Sequence, residues 1–218
     1  MTGSELSAAV AFGVRDTPET TYTAREKFIY LQEGVKTLAA ELARRKSAQV
    51  AQRTILTVGP EGAALPEDWL GFISARVEGR STPLPLKFRH DFPISAGDYL
   101  GCFMEGGRLH IYPAPEAGEN VELIYAAMPE LGRAPIPADD DAARAALAVE
   151  LPFGGLFDLA LTEFVKMRCL NRNEYDTKIE LGLYRLLQSQ AADVAAMDTA
   201  PPQAQMPGSH YDFSGGRS

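Results

Sequence analysis

At 218 residues the chain is long enough for one generous domain or two small ones, and its 45% hydrophobic content lets it bury a sizeable core. A net charge of −8 argues against a protein that grips a phosphate backbone, which needs a basic face, although an acidic surface would let DNA slide past. No apolar run approaches the roughly 18 residues of a membrane span, and the opening MTGSELSAAVAFGVRD lacks the pattern of a secretory signal, so the expectation is a protein made in the cytoplasm.

Residues 1–22 hold turn formers, Gly13 and Pro18, and read as an arm or short helix, weakly ordered unless a partner holds it. From Thr23 to Lys46 the grammar is helical. Phe28, Leu31, Val35, Leu38 and Leu42 step in threes and fours along one face, and Thr23 with Glu26 forms a capping-box pattern. Arg44, Arg45 and Lys46 crowd the last turn, where cations suit the helix dipole.

Strand and turn patterns follow. Thr54–Val58 is rich in β-branched residues, and Gly59-Pro60-Glu61-Gly62 breaks it. Trp69–Val77 alternates Ile73, Ala75 and Val77 on one face; Glu78–Ser81 is a predicted turn, and Leu84–Phe88 the expected return strand, with Pro85 favouring a sheet edge. Tyr99–Met104 and Arg108–Tyr112 flank Glu105-Gly106-Gly107, a hairpin signal. Pro113-Ala114-Pro115 ends that strand, and Val121, Leu123 and Tyr125 line one face of the next.

Pro129–Asp141 reads as a connector ending in a solvated acidic loop, Asp139-Asp140-Asp141. Helical grammar returns near Pro152, with Leu156, Phe157, Ala160, Leu161 and Phe164 on one stripe. After a joint at Asn171-Arg172-Asn173, a second stripe carries Tyr175, Ile179, Leu183, Leu186, Leu187 and Val194, which predicts an antiparallel helical hairpin. After Asp198 periodicity ends. The tail does not fold alone, so a partner surface is expected to hold it, through Tyr211 and Phe213 with His210 and Met206 beside them.

The fold class expected is α+β: a helical bundle, made of a long N-terminal helix and a C-terminal helical hairpin, with an inserted antiparallel β region and an extended C-terminal tail. The boundaries are 1–22 for the arm, 23–48 with 150–198 for the helical domain, 49–130 for the β domain, 131–149 for the acidic connector and 199–218 for the tail.

Chemistry-bearing patterns are missing. There is no GxGxxG, P-loop, HExxH, GxSxG or paired-cysteine zinc motif. Cys102 and Cys169 sit among apolar neighbours and read as buried free thiols. His110 alternates with Leu109 and Ile111 as a sheet-surface residue, and His90 and Asp91, adjacent in an extended segment, are expected to face opposite ways. Trp69 reads as a core or interface aromatic. No catalytic, cofactor or metal residue is assigned. An enzyme or ligand-binding module would need His110, Glu122 and a carboxylate of the C-terminal helices to converge on one pocket. A regulatory protein using the N-terminal helix is a further alternative.

Three segments resemble the head-to-tail adaptor of short-tailed phages, the family that includes tail tubular protein A. They are LPEDWLGFISARVEGRSTPL at Leu65–Leu84, YLGCFMEGGRLHIYPAPEAGENVELIYAAMPEL at Tyr99–Leu131, and FDLALTEFVKMRCLNRNEYDTKIELGLYRLLQSQ at Phe157–Gln190. The Tyr112-Pro113-Ala114-Pro115 junction is the most distinctive element. The resemblance implies a structural subunit without a cofactor, assembled as a ring of usually twelve copies. Such a ring joins the portal to the tail or nozzle protein at the portal vertex of the virion. It continues the channel for double-stranded DNA, which passes without specific binding. A tail-completion or tail-tube protein of the virion is the structural alternative.

Overall fold

The computed structural model describes residues 1–92, 99–172 and 178–197. The fold is α+β, with helices gathered around one central helix and two small antiparallel sheets.

The chain starts with α1 (Gly3–Gly13), fixed by a capping box in which Glu5 N–H donates to Thr2 Oγ1 and Thr2 N–H donates to Glu5 Oε2. Leu6 and Val10, one turn apart, are fully buried. Of the two readings of residues 1–22, the short helix is the one that forms, at Gly3–Gly13. Leu6 and Val10 dock α1 onto the core, and a Cβ at Gly3 would lie 2.8 Å from the Leu147 carbonyl oxygen, so only glycine permits that approach. The turn after α1 is ordered by the buried Asp16, whose carboxylate accepts from the N–H groups of Thr20, Thr21 and Tyr22 at 3.0, 3.0 and 2.8 Å.

Helix α2 (Ala24–Arg44) is the axis of the helical part. Its predicted capping box is present, and Phe28, Leu31, Val35, Leu38 and Leu42 are all fully buried. Helices α1, α3, α4, α5 and α6 all contact it, which is why its buried residues spread beyond one stripe to include Lys27, Gln32 and Gly34.

Strands β1 (Ala51–Val58), β3 (Trp69–Val77) and β6 (Glu119–Ala127) form one sheet in the order β1-β6-β3; β2 (Ala63–Ala64), β4 (Gly101–Glu105) and β5 (Arg108–Tyr112) form the other, in the order β2-β5-β4. The β4–β5 hairpin turns on Gly106 and Gly107, both at positive φ, as a tight two-residue turn requires. Val121, Leu123 and Tyr125 point into a core between the sheets with Val58, Ala75, Val77, Leu109 and Ile111, while Ala126 of the same strand enters the helical core.

The expected return strand at Leu84–Phe88 does not form. Pro83 and Pro85 have no N–H to donate, so a regular ladder is not available. Instead the segment stitches the two sheets together: Leu84 N–H donates to Ala75 O at 2.7 Å, and Cys102 N–H donates to Pro85 O at 2.9 Å. The partner of β3 is β6, 46 residues away at the Arg76–Glu122 pair.

After α3 (Glu130–Arg133) comes α4 (Asp140–Ala146), and the acidic trio begins it. Asp139 is the N-cap and accepts from Ala142 N–H at 2.8 Å; Asp140 accepts from Arg25 N–H at 2.9 Å; Asp141 pairs with Arg144. The solvated acidic loop expected here is therefore a helix start, where carboxylates meet unsatisfied N–H groups. Helices α5 (Asp158–Arg172) and α6 (Lys178–Met197) pack on each other. On α5, Phe157 before it and Ala160, Leu161 and Phe164 within it are buried as predicted, but Leu156 is exposed. On α6, Leu186 of the predicted stripe is 54% exposed, while Tyr184, Ala192 and Ala195 face inward. Tyr175 and the side chains of Ile179, Leu183, Leu187 and Val194 lie outside what is described.

Candidate interaction surfaces

Four surface features stand out. The first is the outer side of α1. This helix has one charged residue, Glu5, in eleven. With Leu6 and Val10 buried, Ala8, Ala9 and Phe12 are left facing outward, and Phe12 is 78% exposed. A helix apolar on both sides is the pattern of an element meant to be covered on both. Exposed Leu159 lies on α5, which packs beside α1.

The second feature is the segment at 86–92. Phe88, 74% exposed, stacks on exposed His90 with ring centroids 5.5 Å apart. The segment turns through one 3-10 turn at Arg89–Asp91, so His90 Nε2 lies 3.4 Å from Asp91 Oδ1 rather than on the opposite side. Arg89 reaches Glu105 at 2.8 Å. An exposed aromatic pair flanked by Lys87 and Arg89 has the composition of an interface anchor.

The third is the outer face of the β1-β6-β3 sheet. Ile55, Glu122 and Arg76 lie side by side in register across it. Glu122 accepts from Arg76 and pairs with Arg53 Nε at 2.7 Å. The Arg76 hydrogen bond holds the Glu122 carboxyl below its usual range.

The fourth is an apolar groove of about 440 Å³ beside α2. Phe28, Leu131, Ala134, Ala146, Val149 and Pro152 line it, with Glu130 and Glu150 at its rim. The segment after β6 is held there by Gln32, whose Nε2 donates to the carbonyl oxygens of Leu131 and Ala134 at 3.3 and 2.6 Å. A smaller cavity of about 230 Å³, lined by Gln49, Val50 and Phe153 among others, shares Pro129, Glu130 and Pro152 with the groove.

The arrangement that an enzyme reading requires does not occur among the described residues. His110 stacks on Phe103 at 4.8 Å beside a cavity on the β2-β5-β4 sheet, whereas Glu122 belongs to the arginine pair on the other sheet. The described carboxylates of the last helices are engaged elsewhere: Asp158 with the N-terminal amine, Glu163 with Lys166, and Asp193 with Arg45. Both cysteines are buried and unpaired, and burial pushes each thiol up to about 12, far from a reactive thiolate. Trp69 stacks on Tyr125, which donates to Asp68 Oδ1 at 2.9 Å. No helix of the described residues is long and apolar enough to cross a membrane.

The predicted anchors Met206, His210, Tyr211 and Phe213 lie outside the described residues. Sequence reasoning assigned none of the four surfaces described above. The near absence of charge in α1 was a legible signal for its outer face. The groove had none, because its walls come from residue 28, 129–134 and 146–152.

A family model for SU10 adaptor protein matches residues 1–208. The chain belongs to the SU10 adaptor protein family. The SU10 adaptor family is a family of phage adaptor proteins, which makes this chain a structural component of a virion that contacts other virion proteins. The expectation of a phage head–tail adaptor agrees with it. No curated protein matches the chain.

Proposed function

We propose that this SU10-family adaptor is a ring subunit, twelve copies to the ring, that joins the portal to the tail at the portal vertex and continues the DNA channel. The family match over residues 1–208 is the observation that carries the reading. Two structural features support it. A closed ring is built from heterologous contacts, so each subunit needs two different patches. The apolar outer side of α1 and the Phe88–His90 segment are two such patches on different parts of the fold. The net charge of −8 suits a channel that passes DNA without holding it.

In this reading the chain is not an enzyme and takes no cofactor. The subunit follows the short-tailed, tail tubular protein A-like plan. Its helical bundle meets neighbours and the portal, its β region meets the tail or nozzle protein, and the C-terminal segment reaches a partner through Tyr211 and Phe213, with Met206 and His210 beside them. Assembly takes place in the host cytoplasm.

Mixing the purified chain with its cognate portal and imaging the product tests this. The expected result is a cyclic ring on one portal end. A chain that stays monomeric in the presence of its portal overturns the proposal. Density further down the particle axis would assign it to tail completion or the tail tube instead.

A further inference from the structure

The apolar groove beside α2 has an occupant within reach. The described part of α6 ends at Met197, and its Ala195 carbonyl oxygen lies 3.5 Å from Ser47 Oγ, in a buried contact. The chain is therefore delivered beside Gln49 and Val50, two of the residues that line the smaller cavity. That cavity shares Pro129, Glu130 and Pro152 with the groove, so a path of concave surface leads from the end of α6 to Phe28, Leu131 and Val149.

Twenty-one residues, 198–218, follow α6, and they carry three large apolar side chains: Met206, Tyr211 and Phe213. The 13 residues between Met197 and Tyr211 can span at most roughly 45 Å. That is enough to reach around one helix, which is about 10–12 Å across with its side chains. Tethering also raises the local concentration of the segment to the millimolar range, so even a weak apolar contact would be populated.

We infer that, in the unassembled subunit, the C-terminal segment folds back along this path and seats its aromatic residues in the groove between α2, residues 129–134 and residues 146–152. The docking stands independently of the ring. Only its consequence rests on the proposed function: the anchors that reach a partner are held against the subunit's own body until that partner displaces them. The groove offers apolar walls to Tyr211 and Phe213, and its rim carboxylates, Glu130 and Glu150, leave the tyrosine hydroxyl a polar edge.

Disulfide trapping in the full-length chain, without portal, tests this. The variant Val149→Cys with Phe213→Cys is compared with Ile55→Cys with Phe213→Cys, Ile55 being exposed on the outer face of the β1-β6-β3 sheet. The native cysteines are buried and stay out of the exchange. The expected result is an intramolecular cross-link at Val149 at least tenfold faster than at Ile55. Equal rates overturn the proposal, and so does a cross-link formed only between chains, which would assign the groove to a neighbouring copy. Hydrogen exchange gives an independent reading: Tyr211→Ser with Phe213→Ser should speed exchange across residues 129–152 about tenfold in the full chain. Unchanged exchange overturns the docking. Neither measurement involves portal or ring, so its failure is separate from any failure of adaptor assembly.

Discussion

The carboxylate of Asp140 accepts a hydrogen bond from the backbone N–H of Arg25 at 2.9 Å, so the first turn of α4 caps the first turn of α2 across 115 residues of sequence. Arg25 Nε returns the contact by donating to the Pro137 carbonyl oxygen at 2.8 Å. An acidic segment thereby satisfies two helix starts at once: its own through Asp139, and that of the central helix through Asp140.

Replacing Asp140 with alanine should therefore lower the melting temperature, whereas Asp141→Ala, whose side chain is almost wholly exposed, should leave it nearly unchanged. Thermal unfolding followed by circular dichroism separates the two. Equal effects would show that bulk acidity rather than the Arg25 contact matters.

Stability should fall at acid pH. Burial alone would raise the Asp16 carboxyl, but its hydrogen bonds from Tyr22, Thr21 and Thr20 outweigh that and hold it below its ordinary value of 3.8. The Arg25 N–H is the main cause of the same downward shift at Asp140, and the Arg76 hydrogen bond at Glu122. A carboxyl lowered on folding contributes stability that is fully present above its unfolded value and is lost as pH falls through the folded one. Urea midpoints should thus be flat near neutrality and drop below about pH 4, and Asp16→Asn should flatten the drop. An unchanged acid limb in that variant would remove Asp16 from the account.

Lys27 is fully buried and pairs with Glu19 at 2.7 Å, while Glu19 is partly exposed and also lies 3.6 Å from Arg144. The two partners are not equivalent. Glu19→Ala leaves a buried ammonium without its counter-charge and should cost about 3 kcal/mol. Lys27→Met leaves a carboxylate that still has Arg144 and some solvent, and should cost no more than about 1 kcal/mol. Equilibrium urea unfolding of both variants and of the double variant measures the asymmetry; equal costs would refute it.

Phe12→Asp tests the outer side of α1. The side chain is 78% exposed, so the monomer should melt within about 2 °C of the wild type. Ring formation, read by mass photometry with and without portal, should be lost. A ring that still forms would place the subunit contact elsewhere.

Legibility followed range along the chain. The core stripe of α2, the Thr23–Glu26 box, the Gly106-Gly107 turn and the alternation of Val121, Leu123 and Tyr125 were all readable, because helix periodicity, capping and turn chemistry act over two to seven residues. The exposure of Leu186 on α6 shows the limit. Leu186 and Tyr184 are both apolar enough to be buried, and only the neighbouring α5, through the Phe164–Tyr184 ring contact, selects between them.

By itself, then, the sequence determined the class of the fold, the extent of its long elements and the absence of familiar catalytic motifs, since each follows from residue type and short spacing. Tertiary structure alone decided that β3 pairs with β6, that Pro83 and Pro85 turn a would-be strand into a stitch between two sheets, and that Asp140 serves a helix 115 residues away. It also decided where the groove lies. Those features depend on which distant hydrogen-bonding groups and apolar faces remain unsatisfied once the local elements have formed, and that remainder exists only when the elements meet.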